Sequence, residues 1–134
     1  MQEDGMPEPV LLRHVRRTEL ELLQGKVISE GGELRLLSGS DYGLRTSVMH
    51  SQVAPGSGPR PHRHPHAEVF VVDDGQGRFD VDGVSIDAEA GDMIIIPIDA
   101  VHRFTNTGAT MLRLIAIHEN ARAVTLFADG TRRD

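Results

Sequence analysis

The chain has 134 residues, the length of one ordinary domain, with twenty acidic against fourteen basic side chains and a formal charge of −6. No run of positive residues is long enough to match a phosphate backbone, which excludes nucleic acid as a partner. Cysteine is absent, so thiol nucleophiles, thiolate metal sites and disulfides fall away together, and any metal must use nitrogen and oxygen donors. The basic residues are thirteen arginines and the single Lys26, which leaves Schiff-base chemistry one candidate and sets it aside. The acidic start MQEDGMPEPV has no apolar segment, and the longest nearly apolar run, Met93 to Ile98, falls far short of the roughly 20 residues of a membrane span. A soluble, cytoplasmic protein without a membrane partner is expected.

Fourteen glycines and seven prolines cut the chain into short pieces rich in β-branched residues, the pattern of an all-β domain. In chain order, a strand is predicted over Val10 to Val15. A short helix follows from the capping-box pattern at Thr18-Glu19-Leu20-Glu21, with Leu20, Leu22 and Leu23 as its apolar side and Gly25 as its stop. Further strands are predicted over Glu33 to Leu37, Leu44 to Val53, Glu68 to Asp73, Gly77 to Val81, Val84 to Asp87, Met93 to Ile96, His102 to Thr105 and Met111 to His118. Asp74-Gly75, Asp82-Gly83, Ala90-Gly91 and Thr107-Gly108 supply the turns. So many short strands at this spacing imply a sandwich or barrel.

Seven histidines occur, at 14, 50, 62, 64, 66, 102 and 118, three of them in PHRHPHAE. Residues two apart on an extended strand face the same side, so His62 and His64 can aim their rings at one point. Glu68 opens the apolar run Glu68-Val69-Phe70-Val71-Val72, where a carboxylate needs a partner against the cost of burial. A second segment, Gly91 to Asn106, contributes His102.

Together these segments resemble the two motifs of the cupin superfamily, G(x)5HxH(x)3-4E(x)6G and G(x)5PxG(x)2H(x)3N. Gly56, His62, His64, Glu68 and Gly75 stand at the offsets of the first, and Gly91, Pro97, His102 and Asn106 at those of the second. Asp99 occupies the place of the central glycine, and aspartate tolerates a left-handed backbone better than most residues. The motifs lie within residues 56–106, about 51 of the 134 residues. The resemblance implies one domain over residues 1–134, with a jelly-roll β-barrel core over about 33–118. It also implies a divalent transition metal held by His62, His64, Glu68 and His102. Three imidazoles and a carboxylate leave two octahedral positions open, and iron, manganese, nickel, copper and zinc all suit nitrogen and oxygen donors.

The resemblance further implies an enzyme acting on a small oxygenated organic substrate, with dioxygenase chemistry ahead of decarboxylation and Glu68 as the catalytic base. A non-catalytic metal-dependent binding or sensing protein, or a sugar isomerase or epimerase, is the alternative. A homodimer is expected by the same analogy. Outside the motifs, His66 is read as a solvated loop residue, with a role at the rim of the site as the alternative, and His50 and Gln52 touch a substrate if their strand face lines the barrel. His118 is read as a structural or interface residue, and Phe70, Phe79 and Phe104 as core near the site. Arg103, next to an inward His102, points outward.

Overall fold

The computed structural model describes residues 12–23 and 32–133. Among them it has twelve strands: β1 (Glu21–Leu23), β2 (Gly32–Leu37), β3 (Ser47–Val53), β4 (His62–Arg63), β5 (Glu68–Asp74), β6 (Gln76–Val81), β7 (Val84–Glu89), β8 (Met93–Ile96), β9 (His102–Asn106), β10 (Leu112–His118), β11 (Thr125–Phe127) and β12 (Arg132–Arg133). They form two six-stranded sheets, β1-β2-β3-β10-β5-β8 and β12-β11-β4-β9-β6-β7, in which every pairing is antiparallel. The expected all-β architecture is present.

The turn chemistry accounts for much of the topology. Asp82 and Gly83, at φ 47° and 83°, give the β6–β7 hairpin the left-handed pair that matches strand twist. The motif glycines Gly56, Gly75 and Gly91 all have positive φ, and Asp99, standing where the resemblance calls for glycine, adopts φ 62°. Asn106 organises the turn after β9: its amide donates to the carbonyls of Val53 and Thr110, both at 2.8 Å, and its side-chain oxygen accepts from Gly108 N–H.

Between the sheets lies one apolar cluster, in which Phe70, Phe79 and Phe104 meet with ring centroids 5.2 to 5.7 Å apart. Val53, Val72, Ile96, Leu112 and Leu114 fill the space around them. The expectation of core aromatics near the site holds, since Phe70 also reaches the His102 ring at 6.3 Å. Outward, Ile117, Val69 and Ile95 form one row of paired residues across β10, β5 and β8, with Met93 beside Val71 in the next. Met93, Ile95 and Ile117 are exposed.

The expected N-terminal helix is not formed. Arg17–Glu19 makes a single 3₁₀ turn, and Glu21–Leu23 continues as a strand against β2, with Leu23 opposite Leu34. Joining the sheet buries Leu23 in the core and lets the Arg35 guanidinium donate to the carbonyls of Thr18 and Leu20. A two-turn helix stabilised only by its cap is marginal beside that gain. Leu12 to Val15 form no strand, while Val10 and Leu11, and the helix stop at Gly25, lie outside the described residues. The strand expected from Leu44 starts at Ser47, after a 3₁₀ turn over Gly39–Asp41. No helix among the described residues is long and apolar enough to cross a membrane.

Candidate metal centre

His62 and His102 are direct cross-strand partners between β4 and β9, with ring centroids 4.3 Å apart. His64 follows β4 by one residue and turns its ring into the same space, 5.0 Å from each of the other two. Each of the three rings brings one nitrogen within 4.8 Å of the others, and all three residues are buried. Glu68 enters from the other sheet, at the start of β5, where it faces Ile96 of β8 and His118 of β10.

The tautomers of the three rings are fixed by the backbone. His62 Nδ1–H donates to the Arg60 carbonyl at 2.7 Å, His64 Nδ1–H to the Val124 carbonyl at 2.7 Å, and His102 Nδ1–H to the Ala100 carbonyl at 2.8 Å. A carbonyl only accepts, so in each neutral imidazole the Nε2 lone pair is left pointing into the site. Two of these nitrogens meet the same carboxylate oxygen: Glu68 Oε1 lies 3.1 Å from His102 Nε2 and 3.2 Å from His64 Nε2. Buried acceptors facing one another at this distance require positive charge between them, supplied by ring protons in the metal-free protein or by one divalent cation. The donor chemistry therefore fits a divalent metal.

Electrostatics favour the ligating forms. Burial pushes His62 down to about 3, with the neighbouring His102 adding to the effect. At Glu68 burial raises the pKa, but the interactions with His102 and His64 together outweigh it and hold the carboxyl below its usual range. Burial also pushes His118 down to about 4 against the opposing pull of Glu68, and it lowers His66. His62 and His118 are thus neutral near pH 7.

The four residues expected as ligands are brought together, but the site is larger than that expectation. His118 is fully buried, with Nε2 3.1 Å from Glu68 Oε2 and Nδ1 3.1 Å from His66 Nε2. Its burial fits the structural half of its reading and corrects the interface half, and strand pairing sets it opposite Glu68. The signal was Arg113: with that residue facing solvent on β10, strict alternation turns Leu112, Leu114, Ala116 and His118 inward. The reading of His66 as a solvated loop residue is corrected, because its ring is buried against His64 and His118. His50 and Gln52 are also corrected, since β3 buries Ser47, Met49, Ser51 and Val53 and turns His50 and Gln52 to the outer face. Arg103 is exposed, as expected.

Sequence reasoning missed the contribution of β11. Phe127 pairs with His62 and its ring lies 5.8 Å from the imidazole, while Val124 provides the carbonyl that orients His64. The Arg60 guanidinium lies 4.2 Å from the Phe127 ring centroid and pairs with Asp129. Phe127 closes one side of a cavity of about 30 Å³ that is also bounded by Leu34, Met49, Ser51, Phe70, Phe104 and Thr125. That is room for one or two water-sized groups beside the histidines.

A family model described as the Cupin domain matches residues 49–118, just over half of the chain. The chain belongs to the cupin family. Among curated relatives, this cupin is 36% identical over 88 residues to polyketide synthase CurC of Streptomyces cyaneus, covering 63% of this chain and 57% of that one. It is 32% identical over 105 residues to dimethylsulfoniopropionate lyase DddW of Ruegeria pomeroyi, covering 75% and 67% respectively. It is 37% identical over 71 residues to acireductone dioxygenase of Schizosaccharomyces pombe, covering 48% and 40%. The chain thus spans less than two thirds of the length of CurC and of the acireductone dioxygenase. Among solved structures, Bacillus subtilis oxalate decarboxylase, studied for its Mn(II) centres, superposes with a TM-score of 0.74 at 23% identity, covering 85% of this chain and 31% of that one. A cupin-like protein from Thermotoga maritima superposes at 0.66 with 22% identity, covering 72% and 74%. At these identities the superpositions establish the fold alone.

Proposed function

We propose that this cupin is a metal-dependent enzyme acting on a small oxygenated organic substrate, with His62, His64, Glu68 and His102 as the ligands of one divalent metal. The observation that carries this reading is the convergence of three backbone-locked Nε2 lone pairs and Glu68 Oε1 beside a small, largely apolar cavity. A bound metal there supplies Lewis acidity, and dioxygen chemistry as well if it is redox-active. The chain's own residues do the rest. Phe70, Phe104 and Phe127 exclude bulk water, which strengthens every polar contact inside. Ser51 and Thr125 offer hydroxyls to substrate oxygens within an otherwise apolar wall. Glu68, which lines the same cavity, is the proposed acceptor of a substrate proton.

Dioxygen-dependent cleavage is the first reading, supported by the likeness to the acireductone dioxygenase. A redox-neutral elimination or decarboxylation is the second. It is favoured by the likeness to the dimethylsulfoniopropionate lyase, which covers three quarters of this chain. The deciding experiment loads the protein with iron(II) or manganese(II) and follows oxygen uptake on enediols, diketones and catechols. In parallel, product release from small carboxylates is followed without oxygen. Uptake coupled to product supports the first reading and anaerobic turnover the second. Tight metal-dependent ligand binding without any product would make the chain a binding or sensing protein instead. A homodimer is part of the proposal, supported by the exposed apolar row of Met93, Ile95 and Ile117 on the outer sheet face, as are a single domain over the chain and a cytoplasmic location.

A further inference from the structure

A second histidine group meets the same carboxylate. His64, His66 and His118 each bring one ring nitrogen within 4.8 Å of the others, and all three residues are buried. The His64 and His66 rings stack with centroids 5.2 Å apart, and His118 stands edge-on to both, at 4.9 and 5.3 Å. Each ring has a buried nitrogen without a hydrogen-bond partner: His64 Nε2, His66 Nδ1 and His118 Nε2. Glu68 lies beside the group, with Oε1 3.2 Å from His64 Nε2 and Oε2 3.1 Å from His118 Nε2, the latter outside hydrogen-bond geometry. Orphaned nitrogens gathered at one buried place call for a partner that the chain itself does not supply.

We propose that His64, His66 and His118 form a second position for a divalent transition metal, overlapping the first so that one ion has two alternative seats. This rests on the proposed metal centre, with which it shares His64 and the charge of Glu68. Three neutral imidazoles offer three lone pairs, a donor set that suits zinc, copper, iron and nickel. His64 serves one ion at a time, because its Nδ1–H is taken by the Val124 carbonyl at 2.7 Å and only Nε2 is left. Charge sets the same limit: with one carboxylate beside both seats, a second dication would raise the net charge of this buried cluster from about +1 to about +3. An ion that changes seats keeps His64 and exchanges His62 and His102 for His66 and His118.

The two seats differ in preparation. His62, His64 and His102 present lone pairs fixed by backbone carbonyls. His66 Nε2 and His118 Nδ1 instead share one hydrogen bond at 3.1 Å, and while it lasts only one of those two rings has a lone pair to offer. If His66 donates, the proton of His118 is on Nε2; if His118 donates, that of His66 is on Nδ1. Both nitrogens lack a partner, so either arrangement strands one buried N–H, and the hydrogen bond that ligation gives up is worth no more than about tenfold in affinity. The first seat fills first, and the second stands about tenfold behind it.

The test is zinc chloride binding to the full chain, read as zinc per chain by elemental analysis and as affinity by competition with a chelator. Wild type is expected to hold one zinc. His62→Leu combined with His102→Leu removes two donors of the first seat and none of the second, and is expected to hold one zinc still, about tenfold more weakly. Adding His118→Leu to that pair should bring zinc to near zero. Because His64 belongs to both seats, His64→Leu alone should cost more than about 100-fold, beyond the range found for loss of an outer support, whereas His62→Leu alone should cost about tenfold. A folded His62→Leu/His102→Leu protein that takes up no zinc at saturation, or one that keeps its zinc when His118→Leu is added, overturns the second seat and leaves the metal centre standing. Two zinc ions in wild type overturn the sharing of His64. If the double variant does not fold, the single variants decide, and equal losses for His62→Leu and His64→Leu overturn the inference. Wild-type protein that binds no zinc overturns the metal centre and the second seat together.

Discussion

Five histidines crowd one end of the barrel, and they divide into two sets by what holds them. His62, His64 and His102 each donate Nδ1–H to a backbone carbonyl, of Arg60, Val124 and Ala100 respectively. His66 and His118 hold one another, and His118 also meets a carboxylate. A carbonyl fixed by strand and turn geometry leaves no choice of tautomer, so each inner ring, while neutral, presents its Nε2 lone pair. The outer two have a tautomer that depends on their side-chain partners, and with His64 they form a second buried group whose ring nitrogens lie within 4.8 Å of one another. Residue type is therefore a poor guide to role in this cluster, and the partner of the second ring nitrogen is a good one.

Removing members of each set is the strongest way to break that distinction. His62→Ala combined with His64→Ala is expected to reduce bound metal from one per chain to near zero by elemental analysis of protein expressed with added manganese or iron. His66→Ala combined with His118→Ala is expected to keep the stoichiometry at saturating metal while weakening affinity. A full metal complement in the first variant would end the ligand assignment. An empty site at saturation in the second would erase the difference between the sets.

Acid tests a point the two sets share, that burial lowers His62 in one and His118 in the other. In the metal-free protein His62 is pushed down to about 3 and His118 to about 4, against 6.5 for an ordinary imidazole. Between those values the unfolded chain binds protons that the folded chain refuses, so stability is full above about pH 6.5 and falls as pH drops toward 3 to 4. Glu68, held below its usual range, extends the loss below pH 4.5. At about 1.4 kcal/mol per pKa unit the histidine contribution amounts to several kcal/mol. Urea unfolding of chelator-treated protein should show its midpoint falling steadily from pH 7 to pH 5. A flat profile would mean that these rings are already charged or solvated in the fold. Because the ligands must be deprotonated, metal occupancy should fall over the same range.

What the sequence made legible follows from distance along the chain. His62, His64 and Glu68 lie within seven residues, where strand alternation and one turn fix their relative positions, and the Gly-x-x-x-x-x-Pro segment sets His102 by the same local means. His118 is fifty residues from Glu68, and only the pairing of β5 with β10 joins them. Apolar residues on both faces of β10 hide its inward parity from a simple alternation count, leaving Arg113 as the marker. The long β3 misleads for a related reason: Ser47, Met49 and Ser51 point inward while Val48, His50 and Gln52 point outward. β11 is three residues long, too short for any periodicity, yet it covers His62, and Val124 just before it orients His64. At residues 18–23 the capping pattern is real as a local preference, and pairing with β2 overrides it.

The smallest expected effect isolates the backbone's share in the inner set. Asp99 N–H donates to the His64 carbonyl at 2.8 Å, and the Asp99 carboxylate accepts from Arg63 Nη1 at 2.8 Å on the exposed side. Asp99→Gly keeps the first bond and loses the second. An exposed ion pair contributes about 0–1 kcal/mol. Glycine relieves the cost of φ 62°, about 1–2 kcal/mol for an ordinary side chain and less for aspartate, but adds roughly 0.5–1 kcal/mol of unfolded-chain entropy. These contributions nearly cancel, so stability should change by less than about 1 kcal/mol in urea unfolding, and bound metal should not change at all. If Asp99→Gly loses metal, the surface side chains are part of what aims His64, and the division between backbone-held and side-chain-held histidines must be redrawn around the Arg63–Asp99 pair.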